Sequence, residues 1–117
     1  MANGPAALIA DDEPVLREAL ARLLAELWPD LRVVAQARNG REAIAMFEEH
    51  RPDVCFLDVQ MPGLSGVEAA RAIGRGAHIV FVTAFDHYAV EAFARGALDY
   101  LVKPVERERL RQTVERL

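Results

Sequence analysis

The chain has 117 residues, 52% of them hydrophobic, with 14 Lys plus Arg against 18 Asp plus Glu and a net charge of −4. This suits one domain with its own core, residues 1–117, and excludes a disordered chain, while the mild acidity argues against direct nucleic-acid contact by this segment. The single cysteine, Cys55, excludes an internal disulfide, and no long apolar span or signal-peptide pattern is present, so a cytoplasmic protein without membrane contact is expected.

Residues 1–6 read as an N-terminal extension, and Leu8-Ile9-Ala10 is a short apolar run. Residues 13–28 carry Leu16, Ala19, Leu20, Leu23, Leu24 and Leu27 at helical spacing, and Pro14 suits a first helical turn. Residues 31–37 alternate as an edge strand would. Asn39 and Glu42 have capping-box spacing and open a helix through Ala43, Ile44 and Phe47. Val54-Cys55-Phe56-Leu57 reads as a buried strand, with Cys55 as core. Ser65 and Glu68 repeat the capping-box spacing and open a helix ending near Gly74. Ile79-Val80-Phe81-Val82 is a strand, Tyr88, Ala89, Ala92 and Phe93 mark a fourth helix, and Tyr100-Leu101-Val102 is a fifth strand. Leu110, Val114 and Leu117 mark a last helix.

Five repeats of strand then helix imply an α/β fold, a doubly wound five-stranded parallel sheet with helices on both faces. The strand order 2-1-3-4-5 is taken over from flavodoxin-like folds rather than read from the residues. Ligands bind at the carboxyl ends of such strands. There the apolar runs end on Asp11 and Asp12, on Asp58, on Thr83 and on Lys103. Clustered carboxylates repel unless a cation compensates, and Mg²⁺ prefers oxygen donors of this kind. One carboxylate could then attack a phosphoryl group, with a lysine balancing charge and a threonine hydroxyl donating a hydrogen bond. Each residue alone has a plainer reading: Asp11 and Asp12 as a helix N-terminus, Asp58 as a turn residue, Thr83 and Lys103 as strand ends. The joint occurrence is what points to a site.

The segments Ile9-Ala10-Asp11-Asp12-Glu13-Pro14, Phe56-Leu57-Asp58-Val59-Gln60-Met61-Pro62-Gly63, Val82-Thr83-Ala84 and Asp99-Tyr100-Leu101-Val102-Lys103-Pro104 resemble the receiver domain of bacterial response regulators. The resemblance implies that Asp58 accepts a phosphoryl group from a sensor histidine kinase. It implies that Asp12, Asp58 and the backbone carbonyl of Gln60 hold Mg²⁺, with Asp11 acting through water. Thr83 and Lys103 would contact the phosphoryl group, Tyr100 would switch together with Thr83, and Lys103-Pro104 would be a cis peptide. Gln60 and Phe85 would modulate hydrolysis, Phe85 by excluding water.

A finer resemblance, over residues 82–93 and 96–101, is to receivers joined to LytTR-type DNA-binding domains. It implies transcription regulation through a domain beyond Leu117, so the chain is read as an excised receiver in preference to a natural single-domain one. The charges of the last helix read either as a solvated, ion-paired face or, as in many receivers, as part of a homodimer surface with the fourth helix and fifth strand. His50, His78 and His87 show no metal-ligand spacing. Three rival readings fit the residues less well. A phosphatase of the haloacid dehalogenase type resembles D-x-D at Asp58, but Gln60 cannot serve as the acid, so no turnover enzyme is expected. A nucleotide or flavin module needs a glycine-rich loop where Asp11-Asp12-Glu13 stands. A receiver-like domain that only binds partners would lack a site residue, and none is missing.

Overall fold

The computed structural model describes residues 4–84 and 96–117. Strands β1 (Ala6–Ala10), β2 (Arg32–Ala37), β3 (Val54–Asp58), β4 (His78–Thr83) and β5 (Asp99–Val102) pair in parallel in the order β2-β1-β3-β4-β5. Between them run α1 (Pro14–Leu27), α2 (Gly40–His50) and α3 (Gly66–Ile73), and α4 (Arg107–Arg116) closes the described chain. The helix expected around Tyr88 and Phe93 lies outside the described residues, as does Phe85.

Side chains alternate across a strand, so a strand buried on both faces feeds two cores. Leu8, Cys55, Leu57, Ile79 and Phe81 pack on one face with Phe47 of α2 and Ala69 and Ile73 of α3. Ile9, Val54, Phe56, Val80, Val82 and Leu101 pack on the other with Leu20 and Leu24 of α1 and Leu110 of α4. Each fully buried Leu, Ile, Val or Phe among them contributes about 1.5–3 kcal/mol of hydrophobic stabilisation. Cys55 lies inside the first core, and burial pushes its thiol up to about 12, so it is an inert packing group.

Three details differ from the sequence reading. Ala6, assigned to the N-terminal extension, already belongs to β1: Arg32 N donates to the Pro5 carbonyl at 2.8 Å, and the Ala6 N–H donates to Asp53 Oδ2 at 2.8 Å. Alanine is a weak strand signal, and the pairing is decided by partners far along the chain. The first capping box is only half formed. Asn39 Oδ1 accepts from Glu42 N at 2.9 Å, but Glu42 turns to Arg38, accepting from its main-chain N at 2.9 Å and from Nη2 at 2.7 Å. The Ser65–Glu68 box is complete, with bonds of 3.1 and 3.0 Å. Lastly, Thr113, a polar residue that the apolar pattern leaves out, is buried on α4 at the i+3 position from Leu110, on the same face.

Candidate functional site

Register brings the strand ends level. Ala10 pairs with Leu57, Asp58 with Val82, and Thr83 with Val102. The residue at or just past each end therefore arrives at one edge: Asp11, Asp58, Thr83 and Lys103. A cavity of about 350 Å³ opens there, lined by Asp12, Glu13, Asp58, Gln60, Thr83 and Lys103 together with Met61, Pro62 and Ala84.

Asp11 is buried and held on every side. Its main-chain N donates to the Ala37 carbonyl at 3.0 Å and its carbonyl accepts from Arg17 Nη1 at 2.6 Å. Its Oδ1 accepts from Glu13 N at 2.9 Å, and its Oδ2 pairs with Lys103 Nζ at 2.7 Å. Lys103 Nζ also donates to Asp58 Oδ2 at 3.0 Å, so one ammonium bridges two carboxylates. Asp58 Oδ1 accepts from Gln60 N at 3.2 Å. Asp12 is exposed at the rim.

The electrostatics are those of a largely buried anionic site. Burial raises the Asp58 carboxyl above its usual range; the hydrogen bond and charge of Lys103 lower it without overcoming that effect, and Asp11 adds repulsion. Burial works against charge on Lys103 too, but the two carboxylates outweigh it and hold the amine above its ordinary value. Lys103 therefore remains cationic at neutral pH. Thr83 is buried at the end of β4, and its carbonyl accepts from Lys103 N at 2.8 Å. Lys103-Pro104 is cis.

Asp11, Asp12 and Glu13 each offer a carboxylate oxygen, all within 4.8 Å of one another, the one such acidic group among the described residues. These hard oxygen donors, an exposed Asp12 and an adjoining open cavity fit a divalent cation that keeps part of its water shell.

Several members of the site were not singled out in the sequence. Glu13 read as the start of a helix, although its contiguity with Asp11 and Asp12 was a signal. Arg17 acts through a main-chain carbonyl and left none. Gly66 follows the Ser65 cap, and a Cβ there would lie 1.9 Å from the Asp58 carbonyl oxygen, so this glycine lets α3 approach the main chain of Asp58. Tyr100 is not among the residues lining the cavity. It sits on β5, its ring centroid 5.9 Å from the guanidinium carbon of Arg109.

The family model for the response regulator receiver domain matches residues 7–115. The chain belongs to the response regulator receiver family. This receiver is 50% identical over 114 residues to a response regulatory protein of Vibrio cholerae, covering 95% of this chain and 44% of that protein. It is 46% identical over 112 residues to the transcriptional regulatory protein BtsR of Escherichia coli, covering 94% and 46%. The chain spans less than half the length of these curated relatives. Among solved structures, the response regulatory domain of MrkE from Klebsiella pneumoniae superposes with a TM-score of 0.84 at 30% identity, covering 96% of this receiver and 93% of that chain. A DNA-binding response regulator of the LuxR family from Staphylococcus aureus gives 0.83 at 28% identity, covering 95% and 96%. The receiver is thus a two-component signalling domain whose relatives include transcriptional regulators. Among the described residues no helix is long and apolar enough to cross a membrane.

Proposed function

We propose that this receiver stores a signalling phosphoryl group on Asp58, taken from a phosphohistidine of a sensor histidine kinase in the cytoplasm. The observation that carries the reading is the ammonium of Lys103 shared between Asp11 and Asp58 at the wall of an open cavity. A carboxylate oxygen of Asp58 attacks phosphorus, the P–N bond breaks, and the imidazole leaves with the bonding pair. The product is a mixed anhydride on Asp58, with charge on its oxygens met by Lys103 and by a hydrogen bond from the Thr83 hydroxyl. Mg²⁺, when bound by Asp12, Asp58 and the Gln60 carbonyl with Asp11 reached through water, supplies the positive charge that lets the phosphoryl group approach these acids.

The domain is read as a store and not as a turnover enzyme, because Gln60 stands where an aspartate-nucleophile phosphatase needs an acid. Gln60 and Phe85 set the lifetime of the anhydride in this reading, and Tyr100 moves with Thr83. A LytTR-type output rests on residues 82–93 and 96–101. The transcriptional role of the BtsR relatives agrees with a DNA-binding output, and the LuxR-family neighbour keeps other output types in play. Pairing of two copies on phosphorylation, through the helix expected around Tyr88 and Phe93, β5 and α4, belongs to the same proposal; Val102, 41% exposed, is an apolar residue at the end of β5.

The test is label uptake from a radioactive small acyl phosphate with Mg²⁺. Wild type should take up hydroxylamine-labile label and Asp58→Asn should take up none. Equal labelling of the two proteins would sink the proposal.

A further inference from the structure

Strand β5 is only four residues long, Asp99–Val102, and both of its ends are pinned. At one end Lys103 reaches Asp58 and Asp11, and its main-chain N donates to the Thr83 carbonyl at 2.8 Å. At the other end Asp99 is buried, its side chain 2% exposed. Its carboxylate takes a two-pronged contact from Arg109 of α4, Nη2 to Oδ1 at 2.7 Å and Nη1 to Oδ2 at 3.1 Å. Thr113 Oγ1 donates to Oδ2 at 2.8 Å, and Arg116 adds a longer contact at 3.3 Å. Arg109 Nη2 also donates to the Tyr100 carbonyl at 2.9 Å, and the guanidinium stands over the Tyr100 ring. One side chain of α4 therefore grips the carboxylate, a main-chain carbonyl and the aromatic face of two successive β5 residues.

Such a grip is far more ordered than the other ion pairs of α4. Arg107 with Glu26, and Arg111 with Glu108 and Glu115, join exposed partners that water can replace at little cost. A fork onto a buried carboxylate is different, because a small displacement of the half-buried Arg109 leaves the desolvated charge of Asp99 imperfectly matched. The strand between the pinned ends spans about 13 Å and is stiff along its length.

We propose that Asp99, Arg109 and Thr113 form a latch through which β5 reports the state of Asp58, sensed by Lys103, to the C-terminal helix, with Arg109 as the positioning residue. The inference rests on the phosphoacceptor reading of Asp58. A phosphoryl group on Asp58 moves the negative charge outward, Lys103 follows it, and β5 is drawn from the end opposite the latch. The fork of Arg109 loosens in response, and α4 opens more readily.

The experiment is amide hydrogen exchange of α4, read with and without phosphoryl loading by a small acyl phosphate and Mg²⁺, with label on Asp58 quantified in the same samples. Wild type should exchange its α4 amides about tenfold faster when labelled, the factor set by loss of one charge-assisted hydrogen bond. Arg109→Lys keeps the charge but not the fork. It should take up the same label yet show less than about a twofold difference between the two states. Thr113→Val removes one hydroxyl from the same carboxylate with little change of shape, and should give a reduced difference if Arg109→Lys does not fold. A merely structural arginine would shift both states equally and leave the difference intact, which overturns the proposal. Labelled wild type with unchanged exchange overturns it too, while leaving the phosphoacceptor reading standing. Wild type that takes no label removes both.

Discussion

Asp58 and Asp99 are both buried aspartates, yet their environments act on them with opposite sign. At Asp58 burial prevails over Lys103 and the carboxyl is raised. At Asp99 burial also opposes charge, but the bonds from Arg109 and Thr113, with the charges of Arg109 and Arg116, outweigh it and the carboxyl is lowered. A raised group contributes stability below its unfolded value and loses it as pH rises through the folded one. Metal-free Asp58→Asn should therefore be more stable than wild type at neutral pH, with the gain vanishing once pH falls below about 4. A lowered group contributes stability above its unfolded value and loses it as pH falls through the folded one. Asp99→Asn should lose about 2 kcal/mol at neutral pH, the scale of hydrogen bonds to a charged group, with the difference from wild type shrinking as pH falls below the ordinary carboxyl value of about 4. Urea unfolding of wild type and the two variants across this range checks both signs.

At the scale of elements, the site depends on how α3 meets β3. Gly66 N donates to the Val59 carbonyl at 3.0 Å, and a Cβ on Gly66 would sit 2.7 Å from the Asp58 carbonyl carbon as well as on its oxygen. These are main-chain atoms and cannot swing aside. Gly66→Ala should cost about 1–3 kcal/mol, as overpacking does, and should slow labelling of Asp58 by displacing it. The complete capping box beside it has a separate role: Ser65→Ala should cost about 1 kcal/mol of stability with labelling unchanged. Chemical denaturation paired with label uptake separates the two variants. Both capping motifs have the same spacing in the sequence, but Glu42 closed onto Arg38 while Glu68 closed back onto Ser65. Spacing identifies where a helix starts; the neighbour on the preceding turn decides where a glutamate points. The strands β1, β3 and β4 were legible for a related reason, since a strand buried on both faces reads as an unbroken apolar run.

At the scale of the molecule, the two cores fix β1, β3, β4 and β5 level, and the acids at their ends have no choice but to meet. A cation bound there would stabilise the folded state alone. Mg²⁺ at about one hundred times its Kd should add about 2.7 kcal/mol to unfolding free energy, and Asp12→Ala should abolish most of that gain. Thermal unfolding with Mg²⁺ and with a chelator measures it. Trp28 is a poor reporter of this event, because it caps α1 at the end about 20 Å from Asp12.

What the sequence determined by itself was the order of elements and the chemistry at their ends. Periodicity records which face of a segment is buried, and the residues ending each apolar run are read directly. The tertiary structure alone decided which of those residues touch. Lys103 and Asp58 are 45 residues apart, and their 3.0 Å bond exists because β3, β4 and β5 share one register. The approach of Gly66 to Asp58, the four-sided hold on Asp11 and the Asp99 latch are of the same kind. Each pairs groups whose local sequence signals are silent about one another, and only packing across the sheet brings them within bonding distance.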